Sequence, residues 1–393
     1  MRLRYALAGA CLLALGAAAP AAELPAKGTD GWKLAGSLER HWTSNVLDSD
    51  YALPDWYTLL RGSLHRRWGD EDAYAALRTE FEASRHDTVT LEDDRALALS
   101  GEVFRRLSNG AELRGTLAYN AASTGDDVQI GPVVLGTRTT KQVAGAGLQV
   151  GFDLGDATSL ILEAADNFEM VGRTHFQNDL LPASRLDPDR NRLQFSLRLT
   201  RTRGALAFGG SASALLESVE QLGSPPVALS FRQYGLRGEI AFAGKDGSAL
   251  GLALGAEWLG DRDRLYSRVR PAWQVTFSKP LIDTLELRGS FIGRYESADS
   301  DDPLASWLRR GELEIAFKPR QELLFGAGLA CQTKENLLFE NKEHTRSLFA
   351  EAVYELGAPA SLVFRVDYSR TFKTVIDIRQ STVDAFVGLR TKI

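Results

Sequence analysis

The chain has few of the residues that mark most catalytic and metal centres. Its 393 residues include 2 Cys, 2 Met and 5 His. Cys11 lies in an N-terminal apolar run, so Cys331 is the one thiol in the rest of the chain and no internal disulfide is available there. The histidines stand at 41, 65, 86, 175 and 344, and no H-E-x-x-H, G-x-S-x-G or P-loop pattern accompanies them. Residues 187–191 begin like a calcium loop, but Arg192 stands where the sharp-turn glycine belongs. No enzymatic role, cofactor or metal is therefore expected.

Excess positive charge is also missing. Lysine and arginine number 46 against 51 acidic residues, a net charge of −5, which lacks the basic footprint of a nucleic-acid binder. Long apolar runs are missing too. After residue 22 nothing approaches the ~18 residues a membrane-crossing helix needs. Mean hydropathy is −0.18, but a membrane β-barrel reads the same way, because only every second residue of its strands faces lipid.

What is present begins with a leader. Arg2 and Arg4 precede an apolar stretch that ends at Ala19-Pro20-Ala21-Ala22, the pattern of a secretory signal peptide covering residues 1–21. Residues 22–393 are expected to form a single domain. In the segment NGAELRGTLAYN, residues 109–120, Leu113, Leu117 and Tyr119 share one face while Glu112, Arg114 and Asn120 share the other.

That alternation recurs along the chain. Strands are expected at 32–42, 56–68, 74–84, 97–107, 111–121, 142–154, 159–168, 191–201, 205–216, 231–243, 249–259, 272–277, 285–295, 307–317, 323–333, 347–356, 362–372 and 383–393. Tight turns such as Ser108-Asn109-Gly110 follow even-numbered strands. Longer polar segments, 85–96, 122–141, 169–190, 217–230, 260–271, 296–306 and 334–346, follow odd-numbered ones. One end with turns and one with loops is the layout of an up-and-down barrel of about 18 strands in a membrane. Trp32 and Trp42 share a face ten residues apart, and Trp56 and Trp68 repeat the arrangement, as an interfacial aromatic girdle requires.

In such a barrel the apolar faces point out and the polar faces point into the lumen. The lumenal candidates are basic (Arg61, Arg78, Arg114, Arg198, Arg237, Arg288, Arg310, Arg365) and acidic (Glu80, Glu82, Glu102, Glu112, Glu239, Glu257, Glu286, Glu312, Glu314, Glu351, Asp367). Glu112 with Arg114, Arg237 with Glu239, Glu286 with Arg288, and Arg365 with Asp367 are spaced to pair along one strand face. His41 and His65 both face the lumen but at opposite ends, so they are not expected to meet. Gly145, Gly147 and Gly151 on one inward face suggest close approach of another backbone or simple curvature.

The whole pattern resembles Gram-negative outer-membrane β-barrel proteins. Phe386-Val387-Gly388-Leu389-Arg390-Thr391-Lys392-Ile393 is similar to the terminal signal read by the barrel assembly machinery, with Ile393 in place of Phe or Trp. Ser44-Asn45-Val46 resembles a motif near the start of porin-like barrels, some associated with exopolysaccharide export, and of surface-lipoprotein assembly modifiers. The resemblance implies an outer-membrane location with lipid, lipopolysaccharide and the assembly machinery as partners. Two roles are open: a porin-like channel for small hydrophilic solutes or a surface polymer, or a closed barrel that presents its loops and is accessory to surface export. Segment 169–190, with Phe176, Leu180 and Leu181, is long enough to enter the lumen and serve either.

Overall fold

The computed structural model describes residues 31–47, 52–130, 133–177, 181–223, 228–297, 304–338, 341–357, 359–374 and 378–392. The leader, Leu180 and Ile393 lie outside them.

Eighteen antiparallel strands follow one another around a closed wall. The first six are β1 (Lys33–Thr43), β2 (Asp55–Gly69), β3 (Ala73–His86), β4 (Arg95–Arg106), β5 (Glu112–Ile130) and β6 (Val133–Gly155). Next come β7 (Thr158–Val171), β8 (Arg190–Arg203), β9 (Leu206–Val219), β10 (Phe231–Ala243), β11 (Ala249–Asp261) and β12 (Ser267–Ile282). The last six are β13 (Leu285–Ser297), β14 (Ala305–Arg320), β15 (Leu323–Asn336), β16 (Lys342–Gly357), β17 (Ala360–Lys373) and β18 (Ile378–Lys392). Pairing of β1 with β18, from Ala35↔Lys392 to Thr43↔Asp384, closes the ring.

The register fixes which face each residue takes. Leu113 and Leu117 of β5 point outward, and Leu117 is 68% exposed. Leu236 and Leu254 on β10 and β11 do the same, at 68% and 53%. Cys331 of β15 is exposed on this outer face. A continuous outer belt of Leu, Val and Phe is stable only against hydrocarbon, since each large apolar side chain left in water costs about 1.5–3 kcal/mol. The fold is inside out, as the alternation implied.

Turn chemistry sets one end of the barrel. Asn109 Oδ1 accepts the Ala111 amide at 3.1 Å, and Gly110 takes the left-handed backbone, φ 82°, that closes the β4–β5 hairpin.

Three expectations need correction. Segment 122–141 is not a loop: β5 and β6 pair without interruption to Ile130↔Val133, so the hairpin stands above its neighbours. Above the membrane neither of its faces meets lipid, so the apolar alternation that marks a strand in a membrane is lost. Second, β12 is far longer than 272–277. Pro271 and Pro280 look like strand breakers in the sequence, but Pro280 sits at a register shift and Pro271 where β12 has already lost β13. Third, the inward glycines admit side chains rather than a backbone. A Cβ on Gly145 would stand 2.3 Å from Asn167 Oδ1, and one on Gly147 would stand 2.6 Å from Thr116 Oγ1.

Candidate functional site: the lumen and its outer mouth

Carboxylates and guanidiniums line the inside of the wall and hold one another both along and across strands. Arg61 reaches Glu82 at 2.7 Å and Glu39 at 3.0 Å. Arg78 pairs with Glu80, Arg310 with Glu312, and Arg288 with Glu286 at 2.6 Å. Arg365 binds Asp367 at 2.8 Å and approaches Glu351 at 3.5 Å. Two of the same-strand pairings suggested by spacing are replaced by cross-strand ones. Glu112 is held by Arg106 at 2.9 Å, while Arg114 turns to Glu102 at 3.6 Å. Glu239 meets Arg198 at 3.4 Å, while Arg237 pairs with Glu257. The opposing strand brings a partner as close as the i+2 neighbour does, and sequence spacing reveals only the latter.

These pairs are not equally wet. Towards the turn end, the Arg78 and Arg288 side chains are 57% and 53% exposed. Towards the loop end, Glu39, Glu217 and Glu257 are at most 2% exposed. The lumen is therefore open to water on one side and packed at its other mouth.

One half of that packing is a row of rings across four adjacent strands. Phe386 of β18 stacks on His41 of β1 at 4.4 Å, His41 on Tyr57 of β2 at 4.5 Å, and Tyr57 on His86 of β3 at 4.7 Å. Asp384 receives His41 Nδ1 at 2.9 Å and the Tyr57 hydroxyl at 2.9 Å, and Glu39 lies 3.1 Å from His41 Nε2. Sequence reasoning compared His41 with His65 and so missed this row. Register puts His65 opposite Lys33 at the far end, and Trp42↔Trp56 is the pairing that would have placed Tyr57 beside His41.

The other half is the wall itself, folded inward. β12 and β13 pair only as far as Trp273↔Gly293, although both strands run further. Above this seam the Tyr295 amide donates to Glu257 of β11 at 2.9 Å, across the inner side of β12. Tyr295 and Trp307 have the outward parity of Phe291, which is 40% exposed, yet they are 3% and 4% exposed. They join Leu229, Phe231, Leu259 and Leu304 in an apolar cluster. Arg270 of β12 lays its guanidinium 5.4 Å from the Trp307 ring and binds Glu335 of β15 at 2.6 Å. The tips of β13–β15 thus lean over the lumen and are pinned by aromatic packing and one half-buried ion pair.

Segment 169–190 does not plug the lumen with its described residues. His175 and Phe176 form a short strand against Arg138 and Thr137 of β6, and Thr174 bridges to Ser184, so the segment continues the wall. Arg185 fastens it to the end of β9, donating to Glu220 at 2.6 Å and 3.1 Å and meeting Asp189 at 2.8 Å.

No protein-family model matches the chain, and no curated protein does. Among solved structures, the copper transporter OprC superimposes with a TM-score of 0.55 at 12% identity, over 92% of this chain and 81% of that one. OccK2 (OpdF) of Pseudomonas aeruginosa gives 0.53 at 12% identity, over 92% and 98%. OpdK of the same organism, solved with vanillate, gives 0.50 at 10%, over 92% and 99%. The chain shares the fold of these Gram-negative outer-membrane β-barrels.

In outer-membrane barrels the turns lie in the periplasm and the loops outside, and in that setting the packed mouth is the exterior one. On the barrel's outer face Trp42 lies opposite Trp56 near that mouth, and Trp32 lies edge-on to Trp68 at 6.2 Å near the turns. Phe386 and Gly388 face the lumen, where a Cβ on Gly388 would stand 2.6 Å from Glu39 Cγ.

The outer clasp is acid-sensitive. The Arg185 guanidinium holds the Glu220 carboxyl below the ordinary glutamate range. A lowered folded-state pKa means that the clasp contributes fully above the unfolded value of about 4.3 and is lost as pH falls through the folded one. Amide hydrogen exchange in 172–190, corrected for intrinsic rates, should be flat from neutral pH to that value and rise below it. Equal protection throughout would show that the clasp does not hold the segment.

Proposed function

We propose that this barrel is an outer-membrane channel that passes small hydrophilic solutes through an ion-paired lumen with a narrowed outer mouth. The gradient of exposure along the lumen carries this reading: wet charged pairs on the periplasmic side and packed ones beneath the loops. The narrowed mouth favours small solutes over a surface polymer. A channel is also favoured over an enzyme, since both ring nitrogens of His41 face carboxylates and neither is left to shuttle a proton to a substrate. We read the four tryptophans as the interfacial girdle and Phe386, Gly388 and Ile393 as the assembly signal. A closed barrel that presents its loops is the second reading, and the packed mouth is the observation in its favour.

Single-channel recording of the folded protein in planar bilayers tests this. Steady conductance steps in potassium chloride are the expected result. A folded, heat-modifiable barrel that never conducts would overturn the channel and leave the closed one.

A further inference from the structure

The outer face of β16–β18 carries a feature that the lumen does not explain. From the turn end upward, this face is apolar: Leu356, Tyr354 and Leu348 on β16, and Leu362, Phe364, Val366 and Tyr368 on β17. Leu348 and Tyr368 lie opposite each other, and one row above them Arg346 lies opposite Arg370. At ~3.3 Å per residue and a tilt near 40°, that row stands roughly 5 Å above the apolar belt, at the height of the outer leaflet's headgroups.

Above it, His344 stacks parallel to Phe372 at 6.5 Å, and Arg379 covers Phe372 at 5.5 Å. His344, Arg346, Arg370, Phe372 and Arg379 together line a cleft of about 480 Å³ that opens outward. Arg346 and Arg370 are both exposed, and among the described residues no carboxylate stands within ion-pairing distance of either. Like charges directly opposite on a sheet repel, and an anion held between the two guanidiniums relieves that repulsion. A guanidinium pair over an aromatic floor suits a phosphate monoester, which each fork can grip through two oxygens. The lumenal ion pairs of β16 and β17, Arg365 with Glu351 and Asp367, lie on the opposite face and leave this pocket alone.

We propose that this cleft binds the phosphorylated headgroup of the outer-leaflet glycolipid, with Arg346 and Arg370 clamping the phosphate, Phe372 flooring the sugar, and the acyl chains lying on Leu348 and Tyr368. The occupant is a lipid rather than free phosphate because the apolar belt begins one row below the clamp.

The test is native mass spectrometry of the full barrel extracted in mild detergent and titrated with bisphosphorylated lipid A, dephosphorylated lipid A or inorganic phosphate. Wild type should retain one bisphosphorylated lipid A tightly. The R346A/R370A variant should bind it at least about tenfold more weakly, each lost charge-assisted contact being worth that order. Its heat-modifiable mobility should match wild type, since both side chains lie outside the packed wall, and Arg320→Ala at the periplasmic rim should leave retention unchanged. Equal retention by wild type and R346A/R370A would overturn the proposal. So would equal binding of dephosphorylated lipid A, which would reduce the cleft to an apolar groove, or binding of inorganic phosphate as tight as that of the lipid.

Discussion

Alanine at position 307 should raise the single-channel conductance about twofold or more, because the ring it removes holds the inward-folded tips of β13–β15 over the lumen. Trp307 packs edge-on against Tyr295 at 5.0 Å and Trp273 at 5.9 Å, under the Arg270 guanidinium. Removing a buried tryptophan costs about 3–5 kcal/mol. In most proteins that loss would fall on global stability. Here the ladder is already broken between β12 and β13 above Trp273↔Gly293, so the tips can swing out without breaking a strand pair of the barrel proper. The loss is therefore local, and it should appear as a wider mouth and longer open times. Trp258→Ala is the control, since Trp258 stacks on Tyr234 at 5.5 Å on the outer face and takes no part in the mouth. An unchanged conductance in the Trp307 variant, with wild-type conduction intact, would show that the tips do not limit flow.

What the sequence disclosed and what it hid divide along one physical line. Wherever a strand separates lipid from water, its two faces must differ, and the alternation announces both the strand and its inward side. This is why the alternation alone suffices to place Leu113 and Leu117 outward and Arg61, Arg237 and Arg365 inward. Where neither face meets lipid, the signal vanishes. The β5–β6 hairpin above the membrane reads as a polar loop for this reason. The seam at Pro271 is hidden differently: it is a failure of two strands to pair, and nothing in either strand alone records a missing neighbour. Register hides the rest. His41, Tyr57, His86 and Phe386 lie on four strands, and only the pairings His41↔Phe386, His41↔Tyr57 and Tyr57↔His86 bring them into one row.

That row contains the second large effect. The Glu39 carboxylate is buried among three cations or potential cations: His41 Nε2 at 3.1 Å, Arg61 at 3.0 Å and Arg390 at 3.5 Å. Glu39→Gln keeps the shape and removes the charge. Arg61 retains Glu82, but Arg390 loses its carboxylate, so the ring row gains net positive charge. Losing the charge-assisted contacts of this buried carboxylate costs about 1.5–3 kcal/mol, which should lower the temperature at which the folded band converts on a heat-modifiability gel. Charge at a constriction acts directly on permeant ions, so the reversal potential in a salt gradient should shift towards anions. Glu80→Gln removes an equal charge from a wetter pair, and there both effects should be small, because an exposed ion pair is worth about 0–1 kcal/mol. Equal shifts in the two variants would mean that the lumen has no constriction at Glu39. A selectivity shift confined to Glu39→Gln would locate the narrowest part of the path at the ring row, independently of what holds the β13–β15 tips.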